Sequence, residues 1–233
     1  MRDRLIGVTD TTSMDDLGAI RLLDDPVRRR LYEWVVAQPD AVGREQAAAA
    51  AGVSRSLAAF HLDKLADAGL LDAGYRRLTG RVGPGAGRPA RVYQRADREF
   101  SVTLPERRYV AAADLFATAI ERMGDGAPPP ALAESAAAAG AELGATSGGA
   151  GASSEDRLIR ALEASGYEPV ADAAGSIRLR NCPFHALVEE HRTLVCGTTL
   201  ELARGIVDGA RASDWEARLD PQPGLCCVAF ARG

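Results

Sequence analysis

Residues 42–71 read VGREQAAAAAGVSRSLAAFHLDKLADAGLL, a stretch that predicts two short helices joined by a tight turn. An alanine-rich helix is expected from about Arg44 to Ala51, since small side chains let two helices approach closely. Gly52 supplies the backbone freedom that a tight turn between helices requires. Ser54 is a typical N-cap, so a second helix is expected from there to about Ala68. Together these features predict a helix-turn-helix.

The segments on either side extend this motif to a winged helix-turn-helix of residues 13–98. Upstream, apolar residues recur at helical spacing, and Pro26 divides them into a short helix and a second one. Downstream, Tyr75–Val82 and Ala90–Arg95 are β-prone segments around a loop rich in glycine, proline and arginine. They predict a β-hairpin with a basic tip. Residues 1–12 have no periodicity and are expected to form a flexible tail.

The second helix of the motif carries residue types that contact DNA. A helix N-terminus favours phosphate, and serine hydroxyls and a guanidinium bind phosphates and guanine. Arginines of the hairpin are expected on the DNA backbone or in the minor groove. The candidate DNA-binding residues are Ser54, Arg55, Ser56, His61, Lys64, Arg81, Arg88 and Arg91. Two alternatives stay open: a helical protein–protein module without DNA, and a core position for His61.

The apolar residues of the second helix predict which of its faces is buried. Leu57 and Phe60 are expected to face the core, with Leu65 as a further candidate. That orientation leaves four residues more exposed, namely Arg55, Ser56, Ala59 and Lys64.

Charge is divided unevenly along the 233 residues, whose net charge is −4. Residues 1–98 carry 16 basic and 13 acidic side chains, whereas residues 99–233 carry 12 and 19. This division suggests a nucleic-acid-binding half joined to an acidic half with another task, the alternative being a solvated basic surface. The sequence lacks both a membrane-length apolar stretch and the apolar core of a signal peptide, so a cytoplasmic protein is expected.

Two helices and a linker are expected after the hairpin. Glu106–Met123 and Ala131–Leu143 have helical character and belong to a linker and dimerisation region of residues 105–145. The first helix is a candidate for pairing with its counterpart in a second chain. Gly144–Ser154 is rich in glycine, serine and alanine, which is typical of a flexible linker.

Residues 154–233 alternate between helical and strand patterns. Separate helices are expected at Phe184–Leu194 and Thr199–Ala210, with strands before and after them. The fold class is therefore α+β, with an N-terminal winged helix-turn-helix, a helical linker and a small C-terminal α+β sensor domain that contains the cysteines.

All four cysteines lie in this last region, at Cys182, Cys196, Cys226 and Cys227. Their contexts are NCPFH, LVCG and PGLCCV, and two of the three histidines fall between the first two cysteines. Soft thiolates gathered with imidazoles favour zinc or an iron–sulfur cluster. The alternative is that free cysteines serve as small buried hydrophobes. Their clustering with proline and glycine favours a metal centre.

The spacing of the first two cysteines requires a bend in the chain. Cys182 and Cys196 are 14 residues apart, which a straight helix would stretch to ~21 Å. Ligands of one centre lie much closer together, so a sharp bend is expected, for which Gly197 and Pro183 are the candidates.

The adjacent pair Cys226 and Cys227 leaves the ligand set open. Neighbouring side chains on a strand point to opposite faces, so one of the two can bind metal while the other packs. A histidine, His191 rather than His185, or an external group would then provide the fourth ligand.

Several of these motifs together resemble the SufR-type regulators. They are GRPARVY at residues 87–93, NCPFH at 181–185, LVC at 194–196 and PGLCCV at 223–228. SufR-type proteins are winged-helix transcription factors, of DeoR/ArsR-like ancestry, that bind an iron–sulfur cluster and repress cluster-assembly genes. The resemblance implies a homodimer, an inverted-repeat operator in double-stranded DNA, and a cluster held by Cys182, Cys196 and the Cys226/Cys227 pair. A four-iron cluster is favoured over a two-iron cluster, with zinc as the alternative.

The function expected from the sequence is a DNA-binding transcriptional repressor whose operator binding is controlled by an iron–sulfur cluster. It would sense iron or redox state and regulate cluster-assembly genes. The first alternative is a regulator that responds to zinc or another divalent metal. The third possible function is that of a thiol redox enzyme with a Cys226–Cys227 couple. Against it, the sequence has no C-x-x-C pair, no phosphate-binding glycine loop and no acid–base constellation. A protein that is not an enzyme is therefore expected.

Overall fold

The computed structural model describes residues 12–76, 89–103, 107–147, 151–172 and 174–233. The predicted tail of residues 1–12 lies outside these ranges except for Thr12, which begins the first helix. The chain is a mixed α+β protein with two small sheets, and it divides into two compact units, Met1–Arg107 and Arg108–Gly233. Within the described ranges, every helix is too short or too polar to cross a membrane.

The N-terminal unit combines helices with a three-stranded antiparallel sheet. Its helices are α1 (Thr12–Arg21), α2 (Pro26–Val36), α3 (Arg44–Ala51) and α4 (Arg55–Asp67), with a 3-10 turn at Leu22–Asp24. Its strands are β1 (Val42–Gly43), β2 (Leu71–Arg76) and β3 (Ala90–Arg95), in the order β1-β3-β2.

The two segments of the predicted hairpin pair with each other. β2 and β3 are antiparallel, in a register that runs from Leu71 opposite Arg95 to Arg76 opposite Ala90. The first strand starts earlier than the predicted Tyr75–Val82. The remainder of that segment and the basic tip lie outside the described residues.

Capping interactions set the helix boundaries of this unit. The Asp25 carboxylate accepts hydrogen bonds from two backbone N–H groups, at 2.9 and 3.0 Å, and α2 begins at Pro26. Gly52 ends α3 with a φ of +66°, which a residue with a side chain rarely adopts. Ser54 caps α4, because its Oγ accepts a hydrogen bond from the backbone N–H of Leu57. The boundaries predicted for the two helices are therefore confirmed.

The prediction for the buried face of α4 was right for Leu65 and wrong for Leu57 and Phe60. Leu57 is 39% exposed and Phe60 is 53% exposed, whereas the buried residues of the helix are Ala58, His61, Leu62 and Leu65. Apolar residues at positions 57, 60, 62 and 65 are compatible with two adjacent faces of one helix. The small side chain of Ala58 packs in the core with the alanines of α3. Leu62 and Leu65 of α4 belong to the same core.

The C-terminal unit places helices against a four-stranded antiparallel sheet. The helices are α5 (Tyr109–Glu121), α6 (Pro130–Ala145), α7 (Ser154–Ala164) and α8 (His185–Gly209), and the strands are β4 (Pro169–Ala171), β5 (Ile177–Leu179), β6 (Trp215–Leu219) and β7 (Val228–Arg232). The strand order is β4-β5-β7-β6. Because α6 extends to Ala145 and Ser153 caps α7, the predicted linker Gly144–Ser154 begins inside a helix, which corrects its first boundary.

Helix α8 replaces the two helices predicted for this stretch. It is interrupted at His191, whose φ of −121° and ψ of 38° are not helical. Of the two candidates for the bend, Pro183 lies in the turn before α8, whereas Gly197 is helical, and a Cβ there would lie 2.7 Å from the Cδ of Pro128. This glycine therefore permits close packing rather than a bend. The break does fall between Cys182 and Cys196, six residues before the predicted position.

Helices α6 and α8 approach each other through glycines. A Cβ built on Gly140 would lie 2.1 Å from the carbonyl oxygen of Leu202, and one on Gly205 would lie 2.0 Å from the carbonyl oxygen of Ala137. Contacts this short leave no room for any side chain at either glycine. The two backbones are thus in direct contact, and α8 is fixed against α6 along the part that follows Cys196.

Candidate functional site

The start of α4 is an exposed helix N-terminus in the N-terminal unit. Ser54, Arg55 and Ser56 are all exposed, and the hydroxyls of the two serines lie 3.1 Å apart. The Arg55 guanidinium lies 3.2 Å from the Glu45 carboxylate, but both side chains are largely exposed, so this pair is weak and readily exchanged. The three residues that were predicted to contact DNA therefore lie together on an accessible surface.

Further along α4 the exposed face carries an aromatic side chain and a cation. The Lys64 ammonium lies 4.6 Å from the centroid of the Phe60 ring, a cation–π contact. Both side chains are exposed. The sequence analysis assigned Lys64 correctly to the accessible face, but it missed Phe60, since an aromatic residue at helical spacing normally indicates the core.

Arg91 belongs to a network around Asp63. Asp63 accepts hydrogen bonds from the Tyr93 hydroxyl at 2.6 Å and from Arg44 at 2.7 Å, and the Arg91 Nε lies 3.3 Å from the same carboxylate. Burial opposes ionisation of Asp63, but these hydrogen bonds and positive charges outweigh it, so its pKa lies below the ordinary value. Burial and the Asp63 hydrogen bond raise the pKa of Tyr93 to about 12. Arg91 is thus partly engaged inside the protein.

His61 does not lie on the accessible surface. It is buried among the core residues, and its Nδ1 accepts a hydrogen bond from the Arg28 Nε at 3.2 Å. Burial lowers its pKa, which favours the neutral imidazole. The assignment of His61 to DNA is corrected to the alternative, a core histidine. Arg81 and Arg88 lie outside the described residues.

Three of the four cysteines meet at the end of β5 and the start of β7. The Cys182 thiol donates a hydrogen bond to Cys226, and Cys226 in turn interacts with Cys227. All four cysteines are free. The hydrogen bond to Cys226 and burial raise the pKa of Cys182; for Cys226 the bond from Cys182 lowers the pKa, but Cys227 and burial bring it to about 11. Cys182 and Cys226 are therefore protonated near neutral pH.

Cys196 lies on α8, apart from those contacts. It is buried, but within the part of the chain that the structure describes, the core that holds Ala203, Val207 and Cys226 is formed without it. Among the described residues, the cysteines do not form a group of three ligand atoms within 4.8 Å of one another. The contacts among Cys182, Cys226 and Cys227 are thus formed without Cys196.

Tyr167 is a polar residue near the cysteines that the sequence analysis missed. Its side chain is buried, and its hydroxyl has no hydrogen-bond partner within the described part of the chain. Burial raises its pKa, and nearby charge at Cys226, Cys182 and Cys227 raises it further. Four free thiols and an unpaired buried donor beside three of them fit a metal–sulfur centre. One tyrosine among core residues offers no sequence signal for this role.

His191 contacts carboxylates and not the cysteines. Its Nε2 lies 2.9 Å from Asp114 and its Nδ1 lies 2.9 Å from Glu121, both on α5. The imidazole is 5% exposed and occupies the break in α8. The expectation that His191 supplies the fourth ligand of a cysteine centre is therefore not supported by its position. His185 is exposed at the start of α8, where its backbone N–H donates to the Cys182 carbonyl.

Asp114 and His191 also belong to a second group of potential ligands, together with Glu190. The ligand atoms of Asp114, Glu190 and His191 lie within 4.8 Å of one another. Such a group can hold a cation, or it can form an ion pair between a protonated histidine and the carboxylates. The sequence contained a weak signal for the two carboxylates that bind His191, because Asp114 and Glu121 are seven residues apart and so share one face of α5.

Comparison with known proteins adds no assignment to this geometry. The chain matches no protein family, no curated protein and no solved structure.

Replacing His191 with glutamine is expected to destabilise the protein by about 1 kcal/mol at pH 6, since it removes two charge-assisted hydrogen bonds to partly exposed carboxylates. The bonds to Asp114 and then Glu121 raise the pKa of His191 above its ordinary 6.5. A raised pKa means that the stabilisation is complete below pH 6.5 and is lost as the pH rises through the folded-state value. The difference between wild type and variant in the free energy of unfolding should therefore shrink from pH 6 to pH 9.

The matched control is His185→Gln, an exposed histidine at the start of the same helix. It should change stability little at either pH. A deficit in His191→Gln that stays constant between pH 6 and pH 9 would show that packing, and not protonation, carries the effect.

Proposed function

We propose that this protein is a DNA-binding transcriptional repressor whose operator affinity depends on a metal–sulfur centre, an iron–sulfur cluster, at its C-terminal cysteines. The observation that carries the DNA-binding part is the topology of the N-terminal unit. A helix pair with a tight turn at Gly52 is followed by the antiparallel strands β2 and β3, and β1 completes a sheet in the order β1-β3-β2. This topology supports a winged helix-turn-helix, a motif whose second helix enters the major groove.

The surface chemistry of α4 supports this assignment. Backbone N–H groups, two hydroxyls and a guanidinium lie at the exposed N-terminus of the helix, and Lys64 lies further along it. These groups bind phosphates and base edges, and exposed Phe60 can contact a thymine methyl group. The sequence supplies further positive charge, because residues 75–98 contain seven arginines and one acidic residue. Binding should therefore weaken steeply with salt.

The cysteines are the residues that would hold the cluster. Cys182 and Cys226 already interact, and Cys196 is buried on α8. When bound, a cluster would supply an iron- and oxygen-sensitive link between the end of β5, the start of β7 and α8. Thiols with raised pKa values are poor nucleophiles, which argues against a thiol redox enzyme.

A regulator that binds zinc is the second candidate. The direct contact between Cys182 and Cys226 favours it, since the thiolates of one zinc ion lie close together around the metal. A cluster, which spreads its ligands over several iron atoms, requires less proximity. Iron, sulfide and zinc analysis of protein purified without oxygen separates the two: a brown protein with acid-labile sulfide supports the cluster, and a colourless protein with zinc supports the alternative.

A mobility shift on the promoter region of its own gene tests the DNA-binding part. The cluster-loaded protein should shift this DNA in competition with unrelated DNA, and metal-free protein should bind it less tightly. Equal binding by both forms would contradict the proposed control by the metal centre, and absence of a shift with any duplex would contradict DNA binding.

Helix α5 supports a homodimer as the form that binds an inverted repeat. Five exposed apolar residues lie on it or just beyond it: Tyr109, Val110, Leu115, Phe116 and Met123. Tyr109, Phe116 and Met123 recur every seven residues and so share one side, with Val110 and Leu115 on its two flanks. A stripe of this kind pairs well with its own copy around a two-fold axis, and a two-fold dimer matches the symmetry of a palindromic operator. His191 binds α5 to α8, five residues before Cys196, so the thiol region and the proposed dimer helix belong to one connected structure.

Replacing Phe116 with glutamate is expected to weaken dimerisation by about thirtyfold or more, as for a central aromatic worth ~2 kcal/mol. Phe116 is 69% exposed in the single chain, so the charge should not disturb the fold. Sedimentation velocity over a concentration series measures the change. Leu219→Glu, an exposed apolar residue on β6, is the matched control and should leave the dimer intact. Equal dimerisation of wild type and Phe116→Glu would exclude α5 as the interface.

A further inference from the structure

The Tyr167 hydroxyl is buried without a partner, which is rare for a polar group in a folded protein. The side chain is 4% exposed, and within the described part of the chain its oxygen has no hydrogen-bond partner. Nearly all buried hydroxyls are paired, because an unpaired one loses its hydrogen bonds to water without compensation. A buried phenol without a partner among the described residues therefore points to a partner outside them.

Asn181 holds the backbone on both sides of Tyr167 against the cysteine segment. The Asn181 side chain donates to the carbonyl of Gly166 at 2.7 Å and accepts from the N–H of Glu168 at 2.7 Å. Asn181 immediately precedes Cys182, and a Cβ on Gly166 would lie 3.8 Å from the Cγ of Pro183. Tyr167 is thus fixed between Gly166 and Glu168, whose backbones are both hydrogen-bonded to the residue before Cys182.

The side chain of Tyr167 lies in the core that contains Cys226. Tyr167 and Cys226 belong to the same group of buried residues, against which Cys182 and Cys227 also pack. A thiol sulfur is a weak hydrogen-bond acceptor, whereas thiolate and sulfide sulfurs accept hydrogen bonds well.

We infer that the Tyr167 hydroxyl donates a hydrogen bond to a sulfur atom of the metal centre, either the thiolate of Cys182 or Cys226 or an inorganic sulfide. This inference rests on the proposed function, since it requires a metal centre at these cysteines. Tyr167 is a positioning residue: it binds no metal itself, but it stabilises the negative charge that the sulfur acquires when the metal binds. Donors of this kind also raise the reduction potential of an iron–sulfur cluster.

The test compares wild type with Tyr167→Phe, in both loaded and metal-free protein. In the loaded protein the variant should release iron to a chelator about tenfold faster or more, the usual size of an effect from a residue beside a metal ligand. Its cluster should also have a more negative reduction potential, measured by a dye-mediated titration of the visible absorption. In the metal-free protein the variant should be as stable as wild type or more stable, because it removes a buried hydroxyl that has no partner among the described residues. Its equilibrium constant for unfolding should therefore fall or stay unchanged.

The exposed Tyr75→Phe is the matched control and should match wild type in every measurement. Equal iron release and equal potential in wild type and Tyr167→Phe would overturn the inference while leaving the metal centre in place. A Tyr167→Phe variant that is as strongly destabilised without metal as with it would also overturn the inference, since the hydroxyl would then have a partner in the chain or a buried water.

Metal analysis of the wild type separates this failure from that of the proposed function. If reconstituted wild-type protein binds neither iron nor zinc, the proposed metal centre and the inference fail together. If it binds zinc, the chelator measurement is made with zinc, and faster zinc release by Tyr167→Phe supports the same hydrogen bond.

Discussion

Replacing Gly205 with alanine is expected to destabilise the C-terminal unit by about 3 kcal/mol, since overpacking a rigid contact costs this much or more. The new Cβ would lie 2.0 Å from the carbonyl oxygen of Ala137 and 2.9 Å from the N of Ala141. Both are backbone atoms in the middle of α6, so neither can rotate away as a side chain would. The helices must separate, and the core of the unit depends on α8 because Ile206 and Val207 are buried in it.

Thermal unfolding followed by circular dichroism measures this effect. A midpoint lower by roughly 10 °C is expected for a unit of this size. Gly124→Ala is the matched control in the same unit, because nothing lies within 4 Å of its Cβ position and its φ is not positive. It should stay within about 0.5 kcal/mol of wild type. A Gly205→Ala variant as stable as this control would mean that α6 and α8 do not pack through their glycines.

The sequence contains the glycines of this contact but does not identify them as a pair. Gly140 and Gly144 are four residues apart in α6, as Gly205 and Gly209 are in α8. Each pair opens one face of its helix. Small residues at this spacing are also what an alanine-rich surface helix contains by chance, and Gly144 looked like the start of a linker. Only the position of the partner helix, some 60 residues away, shows that these glycines form a close contact between two helices.

Elements set by local chemistry were predicted well, and those set by distant contacts were not. Pro26, Gly52 and Ser54 act on their own helices within a few residues, and the boundaries that they predicted are confirmed. The break in α8 depends instead on His191, which is bound by two carboxylates of α5 about 70 residues earlier. Glycine is the usual local signal for a break, so the sequence favoured Gly197, which in fact packs against Pro128.

The candidate sites follow the same rule. The exposed start of α4 was predictable because an N-cap fixes which residues lie at the end of a helix. The orientation of α4 was not, since its apolar residues suit two faces and the choice between them depends on the packing of Ala58 in the core with α3. Residue type alone indicated the cysteines as ligands. The unpaired hydroxyl of Tyr167 appears only when the core is assembled around it.

Replacing Cys226 with serine is expected to abolish metal retention and to weaken operator binding by about 5- to 150-fold, the usual range of coupling between two sites in one protein. Cys226 is 3% exposed, its backbone N–H donates to the Leu179 carbonyl at 2.9 Å, and its sulfur interacts with both Cys182 and Cys227. It is therefore the cysteine that lies between the other two. A serine oxygen is a much poorer ligand for iron or zinc than a thiolate.

Cys227→Ser is the matched control, one residue away with the same change of atom. Cys227 is only half-buried and packs at the edge of the core that contains Cys226. It should keep most of the metal and most of the DNA affinity. Iron, sulfide and zinc content together with fluorescence anisotropy on the promoter duplex measure both properties, and thermal unfolding confirms that each variant is folded.

The comparison between the two serine variants decides the ligand set. Equal loss of metal in both variants would make Cys226 and Cys227 joint ligands. Together with Cys182 and Cys196 they would complete a set of four, and the centre would need no ligand other than the cysteines. Full retention in Cys226→Ser would exclude the proposed centre, because the residue that joins the other thiols would then be dispensable. The expected result, loss in one variant and retention in the other, requires a fourth ligand from outside the cysteines. His191 is engaged with Asp114 and Glu121, so that ligand would have to be an exogenous group or another side chain.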